Sequence, residues 1–389
     1  MTAKSGRQFL QIPGPSNVPD QVLRAINQPT IDHRGPEFQG LTNRILVGLK
    51  KVFNCAGPVI IFPSSGTGSW EAALVNTLSP GDSILMVETG QFAVLWRDIA
   101  LKFGLNVDFI PGDWRHGVDS EPIEAKLVAD KSHSIKAVAV VHNETSTGVT
   151  SDIAAVRKAM DRTNHPALLL VDVISSLGSV DYRQDEWGVD VTIGGSQKGL
   201  MLPPGLGFNA LSDKAIKASS KAGLPRSYWD WDAILKANQM GFFPYTPATN
   251  LLFGLEEALN MLFEEGLENV FVRHARFAEA TRRAVHAWGL ENLCLNPHEY
   301  SNSLTAVLLP EGHDADTLRE LILEHFDMPL GAGLGKVKGR IFRIGHLGWL
   351  NELMLAGTLC GVEMGLGLAG VPFSPGGVQP ALSYLVHGE

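Results

Sequence analysis

The chain has 389 residues, 44% of them hydrophobic and 19% charged, with a formal net charge of −9. This is the composition of an ordinary globular protein, long enough for a large core and for two domains. The acidic balance and the lack of any basic run remove the electrostatic drive toward nucleic acid or an anionic membrane, though not a local cationic pocket for a small anion.

The first residues, Met1-Thr2-Ala3-Lys4-Ser5-Gly6-Arg7, lead into no apolar stretch, so no secretory signal is expected. From residue 59 onward, short β-branched apolar runs alternate with helical stretches. Strands are predicted over residues 59–62, 83–87, 107–110, 137–141, 167–171 and 191–193, and helices over 68–78, 92–103 and 153–160. The longest apolar runs, 137–141 and 167–171, have strand length and not membrane-spanning length. Strands apolar on both faces, separated by helices, predict an α/β fold with a mainly parallel sheet covered by helices. In such sheets ligands collect at the carboxyl ends of the strands.

After Pro247 the pattern changes to long helices over 250–265 and 268–289. A strand over 304–309, a helix over 315–326, a strand over 340–344 and a helix over 351–366 follow. This is an α+β layout and predicts a smaller C-terminal domain. Residues 370–377 are rich in Pro and Gly and read as an irregular surface segment. The ending His387-Gly388-Glu389 is not a peroxisomal address. Cys55, Cys294 and Cys360 are odd in number and far apart, which argues against a disulfide scaffold or a zinc cluster and fits a reducing cytoplasm; no metal site is expected.

Several polar runs fall at strand ends or in the loops after them. Lys198, in Gly194-Gly195-Ser196-Gln197-Lys198-Gly199, follows Asp172, which ends an apolar strand. An amine and a carboxylate so placed suit a pyridoxal phosphate enzyme. The amine forms a Schiff base with the cofactor aldehyde, and the carboxylate keeps the pyridine nitrogen protonated. Ser64-Ser65-Gly66-Thr67-Gly68-Ser69, between a strand and a helix, suits a phosphate monoester, but an ordinary helix start fits it too. It is neither a Walker loop nor a dinucleotide fingerprint. Phe92 can stack on a pyridine ring, although an isolated Phe is more often a core residue. The run His142-Asn143-Glu144-Thr145-Ser146-Thr147-Gly148 can donate hydrogen bonds to a phenolic oxygen or a carboxylate, or simply form a turn and cap. Arg343, inside a short apolar strand, suits a substrate carboxylate or an edge strand reaching solvent. Phe243-Pro244-Tyr245-Thr246-Pro247 reads either as a domain linker or as a loop whose hydroxyls, on Tyr245 and Thr246, reach another subunit's phosphate site.

Taken together, these residues resemble the class V group of the fold type I pyridoxal phosphate aminotransferases, most of all its serine– and alanine–glyoxylate branch. The resemblance runs from Pro13-Gly14-Pro15-Ser16-Asn17 to Phe342-Arg343-Ile344-Gly345. It is strongest over residues 142–148, 196–205 and 242–247, with similar runs at Asp32-His33-Arg34 and residues 264–270. It implies a seven-stranded-type sheet, a cofactor bound through Lys198 and a ring nitrogen paired with Asp172. Ser65, Gly66, Thr67 and Gln197 would hold the phosphate, with Thr246 and its neighbour Tyr245 reaching it from a partner subunit. Phe92 and Ile174 would cover the two ring faces, Thr145 would sit near the 3-hydroxyl and Arg343 would bind the α-carboxylate. Phe243 stands where the animal alanine-using enzymes carry a Tyr, a departure that weakens the loop's share of the resemblance.

The activity so implied is ping-pong transamination from an amino acid to glyoxylate by a homodimer with shared sites. Serine is the favoured donor, with aspartate and alanine open. A donor with a second carboxylate needs a second cation, for which Arg34 and His33 are candidates. The rivals are a cysteine desulfurase, for which Cys360 and Cys294 lack a mobile setting, and a binding protein without catalysis, which would not need the Asp172–Lys198 pair. The expected division is an N-terminal segment over 1–20 that contributes to the site or the dimer, a cofactor-binding domain over 21–265 and a small domain over 266–389.

Overall fold

The structure is a computed structural model that describes residue 6 and residues 8–388. Its main sheet has seven strands. Their spatial order is Val59–Ser64, Gly205–Leu211, Val191–Gly195, Leu168–Asp172, Ile135–Val141, Ser83–Val87 and Asn106–Ile110. Gly205–Leu211 runs antiparallel to both its neighbours, and the remaining pairings are parallel.

The period of two sends alternate side chains to two different cores. Leu169 and Val171 join Val138, Val140 and Ile61 on one face, under the helices Pro36–Phe53, Ile153–Thr163 and Thr249–Glu265. Leu168 and Leu170 join Ala137, Ala139 and Ile60 on the other, under Gly66–Thr77, Gln91–Lys102 and Trp231–Gln239. Both faces are covered by helices, so the strands read as continuous apolar runs and not as alternating ones.

Past Gly266, where φ is +83°, a second sheet of four antiparallel strands forms, in the order Glu291–Asn292, Leu304–Leu308, Ile341–Gly345 and Gly331–Ala332. The helices Leu267–Ala287, Ala315–Phe326, Glu352–Leu368 and Val378–His387 share its core.

A strap over residues 8–17 ties the two sheets together. Phe9 and Gln11 donate their backbone N–H groups to Asp327 and Pro329, Gly345 donates to Gln11, and Ser16 donates to Gln197 beside the lysine turn. Among the described residues no helix is long and apolar enough to cross a membrane, and no group of His, Cys, Asp and Glu is arranged to hold a metal ion.

Candidate active site

Parallel pairing lines up the strand ends that build the site. Asp172 registers with Val141 on one side and with Ile193 on the other. The loop after Val141, the carboxylate of Asp172 and the turn carrying Lys198 therefore open on the same edge.

Asp172 is buried, with both oxygens engaged: Oδ1 accepts from the Ile174 N–H at 2.7 Å and Oδ2 from the Trp70 indole at 2.9 Å. Burial pushes its carboxyl up to about 7, against the pull of those two bonds. Lys198 is buried as well. Burial, and then the charge of Arg343, bring its amine down to about 7, while Asp172 and Glu144 act in the opposite sense. The amine donates to the Pro13 carbonyl of the strap, and the Ser16 hydroxyl donates to the Lys198 carbonyl at 2.8 Å.

Arg343 reaches across from the small sheet. Its Nε donates to Ala332 O and its Nη1 to Thr145 O, each at 2.7 Å, and Nη2 has no protein acceptor among the described residues. Burial lowers its guanidinium to about 10.

Ser65 makes no side-chain cap for the helix Gly66–Thr77, whose first turn leaves the Gly66 and Thr67 amides without protein acceptors among the described residues. A Cβ placed on Gly195 would lie 3.3 Å from Gln197 Oε1, 3.3 Å from Ile174 Cγ2 and 3.7 Å from Gly66 N. Those groups therefore enclose one small space, and Gln197 Oε1 is buried there without a partner. The Phe92 ring lies 6.4 Å from that of Trp70.

The remaining predicted residues lie apart. Tyr245 turns inward and stacks on Tyr228 at 4.5 Å, with its hydroxyl buried and unpartnered. Thr246 and Arg34 are exposed. Their segments lie together, since Asn250 donates to Gln28 O and Gln39 to Met240 O, but no bond or ion pair among the described residues ties either to Lys198. The sequence reading missed Trp70, which stands one helical turn past Gly66, where a buried indole N–H requires an acceptor. It also gave Pro13 and Glu144 no role, although both lie in runs it singled out.

This frame is that of the fold type I enzymes that work with pyridoxal 5′-phosphate. The profile of the family described as Aminotransferase class-V matches residues 8–331, and the chain belongs to that family. It is 52% identical over 391 residues to a serine–glyoxylate aminotransferase of Methylorubrum extorquens, covering 99% of this chain and 97% of that protein. It is 47% identical over 366 residues to an L-aspartate–glyoxylate aminotransferase of Paracoccus denitrificans, covering 94% of this chain and 92% of that one. The solved ureidoglycine–glyoxylate aminotransferase of Bacillus subtilis superposes with a TM-score of 0.92 at 26% identity over 100% of both chains.

Proposed function

We propose that the protein holds pyridoxal 5′-phosphate on Lys198 and transfers the amino group of an L-amino acid, serine first, to glyoxylate, giving glycine and hydroxypyruvate. The observation that carries the chemistry is a buried lysine amine on the strap carbonyl of Pro13, subject to the charges of both Arg343 and Asp172, with a helix start nearby whose first amides lack protein acceptors. The named activities of the two relatives above support the substrates.

The residues present fit the cofactor. The space among Gly66, Ile174, Gly195 and Gln197 has free amide donors at a helix start, where an anion is favoured. Ser65, Gly66, Thr67 and Gln197 would hold the phosphate, Asp172 the ring nitrogen, Phe92 and Ile174 the ring faces and Thr145 the 3-hydroxyl. Bound there, the group supplies an electron sink that lets a Cα proton leave an amino acid.

The chain's own groups do the rest. Trp70 and the Ile174 N–H fix the Asp172 carboxylate. Ala332 and Thr145 hold the Arg343 guanidinium in one orientation, leaving Nη2 for the substrate carboxylate. Lys198 Nζ, near 7, is matched to take the Cα proton and to give it back near neutral pH. The Pro13 carbonyl accepts a hydrogen bond from that amine and keeps it on the strap side.

Aspartate is the second reading for the donor, favoured by the Paracoccus relative and by the exposed Arg34 as a source of further positive charge. Exposed Thr246, on the loop packed behind by Tyr245, supports a homodimer in which each copy completes the other's phosphate site. The same reading divides the chain at 1–20, 21–265 and 266–389. The three free cysteines suit a cytoplasm, and they do not suit desulfurase chemistry: burial pushes the Cys55 and Cys294 thiols up to about 12, and Cys360 is exposed on the helix Glu352–Leu368.

A half-reaction screen tests the proposal. Serine should bleach the visible band of the Lys198-bound cofactor and release hydroxypyruvate, and glyoxylate should restore the band with formation of glycine. Full turnover by Lys198→Ala, or no bleaching with serine, aspartate or alanine, would overturn it.

A further inference from the structure

Glu144 lies beside this site and has no part in the reading above. It is 1% exposed and touches no cation among the described residues. Its Oε1 accepts from the Ser146 hydroxyl at 2.6 Å, the Ser146 N–H at 3.0 Å and the Phe92 N–H at 3.4 Å, and its Oε2 accepts from the Ala93 N–H at 3.2 Å. Ser146 Oγ in turn accepts from the Gln91 N–H at 2.8 Å.

The three opening amides of the helix Gln91–Lys102 are thus capped by a loop from another strand. The helix's own cap position is Gly90, which has no side chain to do so. A Cβ on Gly90 would lie 2.4 Å from Ser146 Oγ and 2.5 Å from Glu144 Cγ, so a glycine there is what admits the cap. The next residue, Thr145, supplies the carbonyl that orients Arg343.

Resting on the function proposed above, we infer that Glu144 is a positioning residue. It docks the Phe92 helix onto the loop that aims Arg343, and its charge balances the guanidinium and the lysine amine without touching either. A direct ion pair would occupy the arginine that the substrate needs. Burial pushes the Glu144 carboxyl upward, and the Ser146, Ala93 and Phe92 donors pull it back toward the carboxylate, which they hold without occupying the arginine.

The charged groups that face Lys198 are Asp172 from the strand Leu168–Asp172, Arg343 from the strand Ile341–Gly345, and Glu144. The strap over 8–17 has no titratable side chain. His142, two residues from Glu144, is buried, bonded to Ser176 and held neutral by burial down to about 4.

The test is the rate at which cofactor-free protein captures pyridoxal phosphate as a function of pH, measured on three variants alongside wild type. Glu144→Gln removes a negative charge and should move the midpoint to lower pH by about half a unit or more. Ser146→Ala removes one of the four donors to Glu144 and should move the midpoint by less than Glu144→Gln does. Glu144→Asp keeps the charge but falls short of the helix amides. Its midpoint should stay while the KM for serine rises about threefold or more. A Glu144→Gln midpoint equal to wild type, or a Ser146→Ala midpoint displaced equally far, overturns the inference. Should Glu144→Gln fail to fold, Glu144→Asp decides it, because an unchanged KM is then fatal. Wild-type protein that captures no cofactor would instead sink the functional reading itself.

Discussion

Lys198 and Asp172 reach about 7 from opposite sides, both through burial. For the amine this means protonated below about 7 and neutral, hence nucleophilic, above it. Capture of pyridoxal phosphate by cofactor-free protein should therefore speed up as pH rises through about 7 and then level off. The Arg343 charge holds the amine down, so Arg343→Gln should move the midpoint upward by about a unit or less. A stopped-flow pH profile of the two proteins checks this, and a midpoint that stays put or falls would contradict it. Asp172 and Arg343 could be picked out from sequence because each is a charged type set in an apolar run, where its presence calls for a partner, and Lys198 because it stands in a small-residue turn downstream of Asp172. Trp70 could not, since its acceptor lies 102 positions away and nothing local distinguishes it from a core tryptophan.

At the scale of elements, the strap over residues 8–17 joins the two sheets and carries the Lys198 acceptor. Its docking depends on close approach at Gly345, where a Cβ would lie 2.3 Å from Ile12 O. Gly345→Ala should push the strap off the strand Ile341–Gly345 and lower cofactor affinity by an order of magnitude or so, about 1.4 kcal/mol per factor of ten. Gly367→Ala, near the end of the helix Glu352–Leu368 with nothing within 4 Å of the new Cβ, is the control, neutral or stabilising by up to about 1 kcal/mol. Equilibrium binding and thermal melts on both variants decide the matter, and equal cofactor affinity would refute the strap's role. The β-branched strands and the long helices after Pro247 showed in the sequence because their periodicity is local, while the 18-residue helix Pro36–Phe53 went unread. The strand Gly205–Leu211 did not. Its Gly-Leu-Gly-Phe-Asn-Ala-Leu run has weak strand propensity, and it is a strand because it pairs antiparallel with neighbours on both sides. The helix Val378–His387 also went unread, while residues 370–377 before it are irregular as expected.

For the whole molecule, a buried neutral histidine ties the helix Leu267–Ala287 to the turn at Gly348, next to the lysine turn. His274, on the helix Leu267–Ala287, donates Nδ1–H to Val270 O, and its Nε2 accepts from the Gly348 N–H at 2.9 Å. A Cβ on Gly348 would in turn lie 3.2 Å from Lys198 O. Burial pushes His274 down to about 3. The unfolded chain binds that proton near 6.5 and the folded one does not, so the histidine's stability contribution is complete above about 6.5 and lost as pH falls toward 3. Between about pH 6 and 5, wild type should lose stability more steeply than His274→Gln by about 1.4 kcal/mol per pH unit, the other titrating groups being common to both. Urea titrations at the two pH values measure this, and equal slopes would refute it. The sequence by itself determined the layered α/β frame, the family and the chemical types at the strand ends, because hydrophobic periodicity and residue chemistry are local properties. Only the tertiary structure decided which of those groups meet: the indole on Asp172, the strap carbonyl on Lys198, Glu144 as the cap of a distant helix, and Tyr245 turned inward. It also decided the two values near 7, because burial and the charges of remote neighbours exist only once the chain has folded.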